Sequence, residues 1–140
     1  MKKQIKKHTK AMWAAGFVVL LASMFTVFSS FEKQTDEWKA PPEADKVKNP
    51  FSGKETPQAK ELYMKNCTQC HGTKGKGDGP KSEEIDKAPT DISTAAFNEQ
   101  SDGSIFWKMT NGKKPMPSFK LDLTDDQRWQ LVNYLRELKK

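Results

Sequence analysis

Cys67-Thr68-Gln69-Cys70-His71 sets two thiols three positions apart and an imidazole directly after the second. Thiols at that spacing can each add to one vinyl group of a haem, and the adjacent imidazole then lies under the iron as an axial ligand. Five consecutive residues would provide both attachment and ligation. The same residues admit three other readings: a thioredoxin-like redox pair, a structural disulfide and half of a zinc site. A redox pair of that kind wants its cysteines at the start of a helix that lowers the thiol pKa, whereas Gly72, Gly75, Gly77 and Gly79 break any helix after the motif. Zinc fails on supply, because the chain holds 2 Cys and 2 His and the other histidine is His8. A bond between the two thiols stays open.

A haem with one histidine ligand needs a second donor, and no second histidine follows the motif. The candidates are Met64, Met109 and Met116, with lysine or asparagine as weaker donors. Met64 precedes the motif by three residues on its own helix, too close to reach across the macrocycle. Met109 falls in a helical stretch, where packing is the ordinary role. Met116 stands between Pro115 and Pro117, in a loop whose backbone is stiffened against helix, and that loop can present a thioether to iron.

These residues need elements to position them. Thr56-Pro57 marks a helix start, and Ala59, Leu62, Tyr63 and Asn66 recur at helical spacing up to Cys67. Asp102 to Thr110 predicts a short helix stopped at Asn111-Gly112. Thr124 with Gln127 makes a capping box, after which Trp129, Leu131, Val132, Leu135 and Leu138 form an apolar stripe. Leu62 and Tyr63 are expected to cross Leu131, Tyr134 or Leu135. No alternating strand pattern of useful length and no internal repeat is found, which points to an all-α domain.

The chain has 140 residues, room for one domain plus a tail or anchor, and its 35% hydrophobic content lies below the usual globular share of about 45–50%. A compact body must therefore be helped by something besides its own side chains. Five lysines, at 2, 3, 6, 7 and 10, precede any acidic residue; without them the 24 basic residues become 19 against 18 acidic. The basic balance thus belongs to the tail, and the body lacks the basic face that nucleic-acid binding would want. Ala11 to Phe28 is uncharged and, at 18 residues, long enough to span a bilayer. A membrane anchor over 1–31 is expected, with a cleaved secretory signal as the alternative. Either exports the remainder, and the lysines hold the N-terminus on the cytoplasmic side of a bacterial membrane, leaving the body on the periplasmic or extracytoplasmic side. Haem attachment through cysteines is expected in that compartment. Residues 32–55, with Ala40-Pro41-Pro42, Asn49-Pro50 and Ser52-Gly53, read as a spacer reaching about 25–30 Å if it is a free coil. The folded body is expected over 56–140.

From Thr56 to Lys140 the chain resembles the class I c-type cytochromes. The resemblance rests on the haem motif, Gly72-x-x-Gly75-x-Gly77-Asp78-Gly79-Pro80, Pro89-Thr90-Asp91-Ile92, Asp102-Gly103-x-Ile105-Phe106-Trp107, Met116-Pro117-x-Phe119, and the helix from Trp129 to Leu135. It implies an all-α cytochrome c fold around one haem c, joined by two thioethers through Cys67 and Cys70, with the terminal helices crossed. It also implies His71 and Met116 as iron ligands, and a proline carbonyl after the motif accepting the His71 ring N–H. Pro89 is expected in that role ahead of Pro80.

Protein ligands on both faces leave iron no vacant position, so the resemblance implies one-electron transfer rather than an enzyme. The expected role is a membrane-anchored carrier between redox partners, such as a quinol-oxidising complex and a terminal oxidase or reductase. One alternative is a fixed haem subunit of a larger membrane complex. A more remote one is a haem enzyme or gas sensor with an open iron position. No nucleic-acid partner is expected.

Overall fold

A computed structural model describes residues 38–54 and 56–139. The expected anchor, 1–31, and the start of the spacer lie outside the described residues. No helix among the described residues is long and apolar enough to cross a membrane. From Lys39 onward the chain forms one compact unit, helical and without extended strands among the described residues.

Among the described residues five α-helices follow in order: α1 (Pro57–Asn66), α2 (Thr68–His71), α3 (Ala95–Asn98), α4 (Asp102–Asn111) and α5 (Asp125–Glu137). Short helices of this kind do not hold in isolation, so their ends and one packed face must fix them. At α5 the capping box forms in both directions: the Gln127 N–H donates to Thr124 Oγ1 at 3.2 Å, and the Thr124 N–H donates to Gln127 Oε1 at 2.9 Å. Ser101 caps α4 by accepting the Ser104 N–H at 3.0 Å, and Gly112 ends that helix. Thr56 occupies the position expected for an N-cap but makes no capping bond; its hydroxyl donates to the Gln130 carbonyl of α5 at 3.4 Å. The single-turn α3, capped by Thr94, has no periodic signal in the sequence.

The apolar stripe of α5 faces inward as its spacing requires. Trp129, Leu131, Val132 and Leu135 are buried and join Tyr63 of α1, Ile105 and Met109 of α4, and Ile92, Phe119 and Leu123 from the loops in one cluster. Each such side chain removed from water contributes about 1.5–3 kcal/mol. The α1–α5 crossing is present, with the Tyr63 and Tyr134 rings 5.2 Å apart between centroids. Phe106 stacks on Trp129 at 3.8 Å.

The segment read as a spacer differs from expectation over its described part. Pro41 to Lys54 is a strap laid on α4 and α5. Ala44 is buried within a turn of 3-10 helix, Ala44–Lys46. The Asp45 carboxylate accepts the hydroxyls of Ser101 at 2.6 Å and Ser104 at 2.7 Å, and these bonds lower its pKa below the ordinary 3.8. Asn49 is also buried: its amide donates to Asn133 Oδ1 at 2.7 Å and its oxygen accepts the Phe51 N–H at 2.9 Å. Asn133 answers by donating to the Phe51 carbonyl at 2.6 Å. The physical reason is polar pairing: a buried amide is held only where its donors and acceptors are matched, and α5 matches them. Gly103 makes the approach possible, because a Cβ there would lie 1.9 Å from the Ala44 carbonyl oxygen and 2.8 Å from that of Val47.

Candidate functional site

Cys67 closes α1, with its N–H bonded to the Tyr63 carbonyl at 2.9 Å, and the chain then makes the single turn α2, which carries Thr68, Gln69, Cys70 and His71. Gly72, at φ +73°, stops that turn. A one-turn helix leaves its last carbonyls without helical partners. The glycine loop takes them: Lys81, Gly79 and Gly77 donate their N–H groups to the carbonyls of Gln69, Cys70 and His71 at 2.8, 3.0 and 2.9 Å. Gly77 is required here twice, by its φ of +79° and by the Pro89 carbonyl oxygen, which a Cβ would meet at 2.5 Å. The buried Tyr63 hydroxyl ties the near end of this loop to α1 by donating to the Gly72 carbonyl at 2.7 Å.

Tyr63→Phe is therefore expected to keep the ring in the core and lose about 1–2 kcal/mol, with the motif loop loosened before the rest of the domain. Hydrogen exchange checks this: the Gly77, Gly79 and Lys81 amides should lose protection ahead of those in α5.

The His71 ring does not reach Pro89. Its Nδ1 lies 3.2 Å from the carbonyl oxygen of Thr90, one residue further on. The Pro89 carbonyl is turned toward Gly77 instead, which is why the expectation for Pro89 fails as a direct contact. Pro89 still shapes the loop that brings Thr90 to the ring. Burial holds the His71 pKa below its ordinary value and the Thr90 carbonyl opposes that shift, so the imidazole is neutral and ready to donate its other nitrogen's lone pair.

Cys67 and Cys70 are free thiols, both half-buried. Burial pushes the Cys67 thiol up to about 12, with Cys70 adding to the rise. A thiol so protonated is no thioredoxin-type nucleophile. No group of three or more His, Cys, Asp or Glu side chains suited to a metal ion occurs among the described residues.

The three methionines differ in their surroundings. Met64 is exposed on α1 and Met109 is buried in the core. Met116 is half-buried against the core cluster, as is Cys67, and its loop is closed by two bonds between Lys113 and Met116, at 2.9 and 3.1 Å. The imidazole beside two free thiols, with the Met116 thioether against the same core cluster as Cys67, is a donor set that fits a covalently attached haem. Sequence reasoning passed over two residues that shape this region: Thr90, which carries no side-chain signal for a main-chain role, and Arg128, which sits 3 and 7 residues before Leu131 and Leu135 and so on the inward stripe.

Residues 58–139 match the family model described as Cytochrome c. No curated protein sequence matches the chain. Among solved structures, a chain of the Kuenenia stuttgartiensis reducing HAO-like protein complex Kustc0457/Kustc0458 is 31% identical with a TM-score of 0.58, over 67% of this chain and 50% of its own length. This chain thus spans half of that one. The KustC0563 c-type cytochrome is 27% identical with a TM-score of 0.52, over 59% of this chain and 98% of its own.

Proposed function

Because the chain belongs to the cytochrome c family and is a haem c electron-transfer protein, we propose that it is a membrane-anchored monohaem carrier whose iron is ligated by His71 and Met116. When bound, haem c supplies an Fe(II)/Fe(III) couple that takes and gives one electron. Cys67 and Cys70 would hold it by thioethers, and the Thr90 carbonyl, 3.2 Å from Nδ1, would orient the His71 ring. Met116 would supply the iron with a soft sulfur donor, which favours a relatively high potential. Pro89 backs the loop on the histidine side. The observation that carries this reading is that Cys67 and Met116 border the same core cluster while the described residues offer no histidine besides His71.

The N-terminal apolar stretch would keep the carrier in a bacterial cytoplasmic membrane with the haem domain on its outer side. The partners would be a quinol-oxidising complex as donor and a terminal oxidase or reductase as acceptor. A second reading, a fixed haem subunit of a larger redox complex, is favoured by the likeness to a chain of a reducing HAO-like protein complex. Purification in mild detergent separates the two: a carrier comes away alone, a subunit with its complex.

Met116→Ala tests the ligand assignment. The oxidised parent should show the long-wavelength sulfur-to-iron band. The variant should lose the band, drop in midpoint potential and bind added imidazole readily. An unchanged band removes Met116 from the iron, and ready ligand binding by the parent would favour an enzyme or sensor.

A further inference from the structure

One buried side chain holds the segment that follows Met116. Arg128, in the first turn of α5, is 3% exposed. Its Nη1 donates to the carbonyls of Phe119 at 3.0 Å and Leu123 at 2.8 Å, and its Nη2 pairs with the Asp125 carboxylate. The guanidinium lies 5.3 Å from the centre of the Phe106 ring, which stacks on Trp129. The other side of the segment is fixed by α4, where the Met109 carbonyl accepts the Phe119 N–H at 3.1 Å, and Leu123 turns back to donate to the Phe119 carbonyl at 3.1 Å.

Met116 thus lies against the core three residues ahead of a point, Phe119, gripped from both helices. A buried guanidinium is costly, and well-packed apolar residues often serve stability as well or better. Here the cost is not even fully offset, since Arg128 Nε has no hydrogen-bond partner. Its acid partner is 80% exposed, so that pair alone gives little reason for the burial. What the guanidinium provides and an apolar residue does not is a directional, charge-assisted hold on two main-chain carbonyls of one loop.

We infer that Arg128 is a positioning residue for the Met116 loop: it fixes where the thioether is presented and so keeps the sixth iron position closed. The inference rests on Met116 being that ligand. The two bonds from Arg128 to this loop are both to backbone carbonyls, so they set the loop's place whatever side chains it carries.

Arg128→Lys tests it in the full haem-loaded chain, because a single ammonium keeps the charge but loses the planar group that holds the Phe119 and Leu123 carbonyls through Nη1 and Asp125 through Nη2 at once. Arg136→Lys is the control. Arg136 ties the far end of α5 to Asp102 at 2.8 and 3.0 Å and to the Asn98 carbonyl at 3.0 Å, and it makes no bond to the Met116 loop. Imidazole binding to the oxidised protein reads loop opening, and far-UV dichroism reads global unfolding. For Arg128→Lys, imidazole should bind at least about tenfold faster than in the parent, and the sulfur-to-iron band should fade on heating well before the helices melt. For Arg136→Lys, band and helices should fade together. An Arg128→Lys rate within about twofold of the parent, or an equal acceleration in Arg136→Lys, overturns the inference.

Should Arg128→Lys not accumulate, the parent itself decides by reciprocity. Saturating imidazole should speed hydrogen exchange at the Arg128 guanidinium and at the Phe119 and Leu123 amides while sparing Arg136; unchanged exchange at Arg128 overturns it. A parent without the sulfur-to-iron band defeats the Met116 assignment together with this inference. A parent with the band but an unresponsive Arg128 defeats this inference alone.

Discussion

Replacing both Cys67 and Cys70 with serine should give a polypeptide whose measured mass contains no haem and which loses most of its helical dichroism. Attachment runs through these two sulfurs, so denaturation should release any residual pigment from the variant, while the parent retains it. The loss of fold follows from the small core. α1 and α4 have 10 residues each and α5 has 13, at or below the length of about 12–15 at which an isolated helix becomes marginal in water. Half-buried Cys67 and Met116 lie against the cluster and would lose the apolar cover that the macrocycle provides. Each single replacement keeps one thioether and should retain much of the fold. Thiol titration of the parent adds a separate check: a haem-loaded chain shows no titratable thiol after reduction, whereas a Cys67–Cys70 disulfide would release two. Two titratable thiols in a colourless parent would end the haem reading.

The second large effect concerns Gly103. Gly→Ala stabilises by up to about 1 kcal/mol in a helix interior and by less in a first turn, where Gly103 sits. Here the new methyl would strike the Ala44 and Val47 carbonyls of the strap, which are backbone and cannot swing aside. Gly103→Ala in the full chain should therefore destabilise by about 1–3 kcal/mol, as overpacking does, or lift the strap. In a chain shortened to 56–140 the sign should reverse, because nothing then opposes the methyl. The shortening alone should cost about 2–4 kcal/mol, since it strips Asn133 of its buried Asn49 partner and uncovers the face under Ala44. Thermal melts of the four proteins form a double-mutant cycle. If Gly103→Ala stabilises both lengths, the strap is not docked. The Asp45 share of this has a sign in pH: its folded pKa is lowered, so its contribution is present above the ordinary 3.8 and fades as pH falls below it.

What the sequence discloses divides along chemical lines. α1, α4 and α5 were legible because their caps and apolar spacings are side-chain signals. The haem motif was legible because its two thiols and the imidazole beside them are side-chain donors, of which the chain holds few. The strap was not, since its hold depends on main-chain carbonyls resting on a glycine and on one buried asparagine in a proline-containing stretch that reads as solvated. Thr90 escaped for a related reason: the atom facing His71 is a backbone oxygen, and in an aperiodic loop the carbonyl at 89 and that at 90 look alike. Arg128 was hidden by its own charge, although its register with Leu131 and Leu135 put it on the inward face.

The strap also decides where a mechanical load enters the domain. Tension arriving from the N-terminal side of Lys39 meets Ala44 and Asn49, clasped to α4 and α5, before it can be transmitted to α1 and the cysteines at its end. Like the collar on a cable, the clasp takes up a pull 18 residues ahead of Cys67. The wiring at the iron is thereby insulated from tugging at the protein's upstream end.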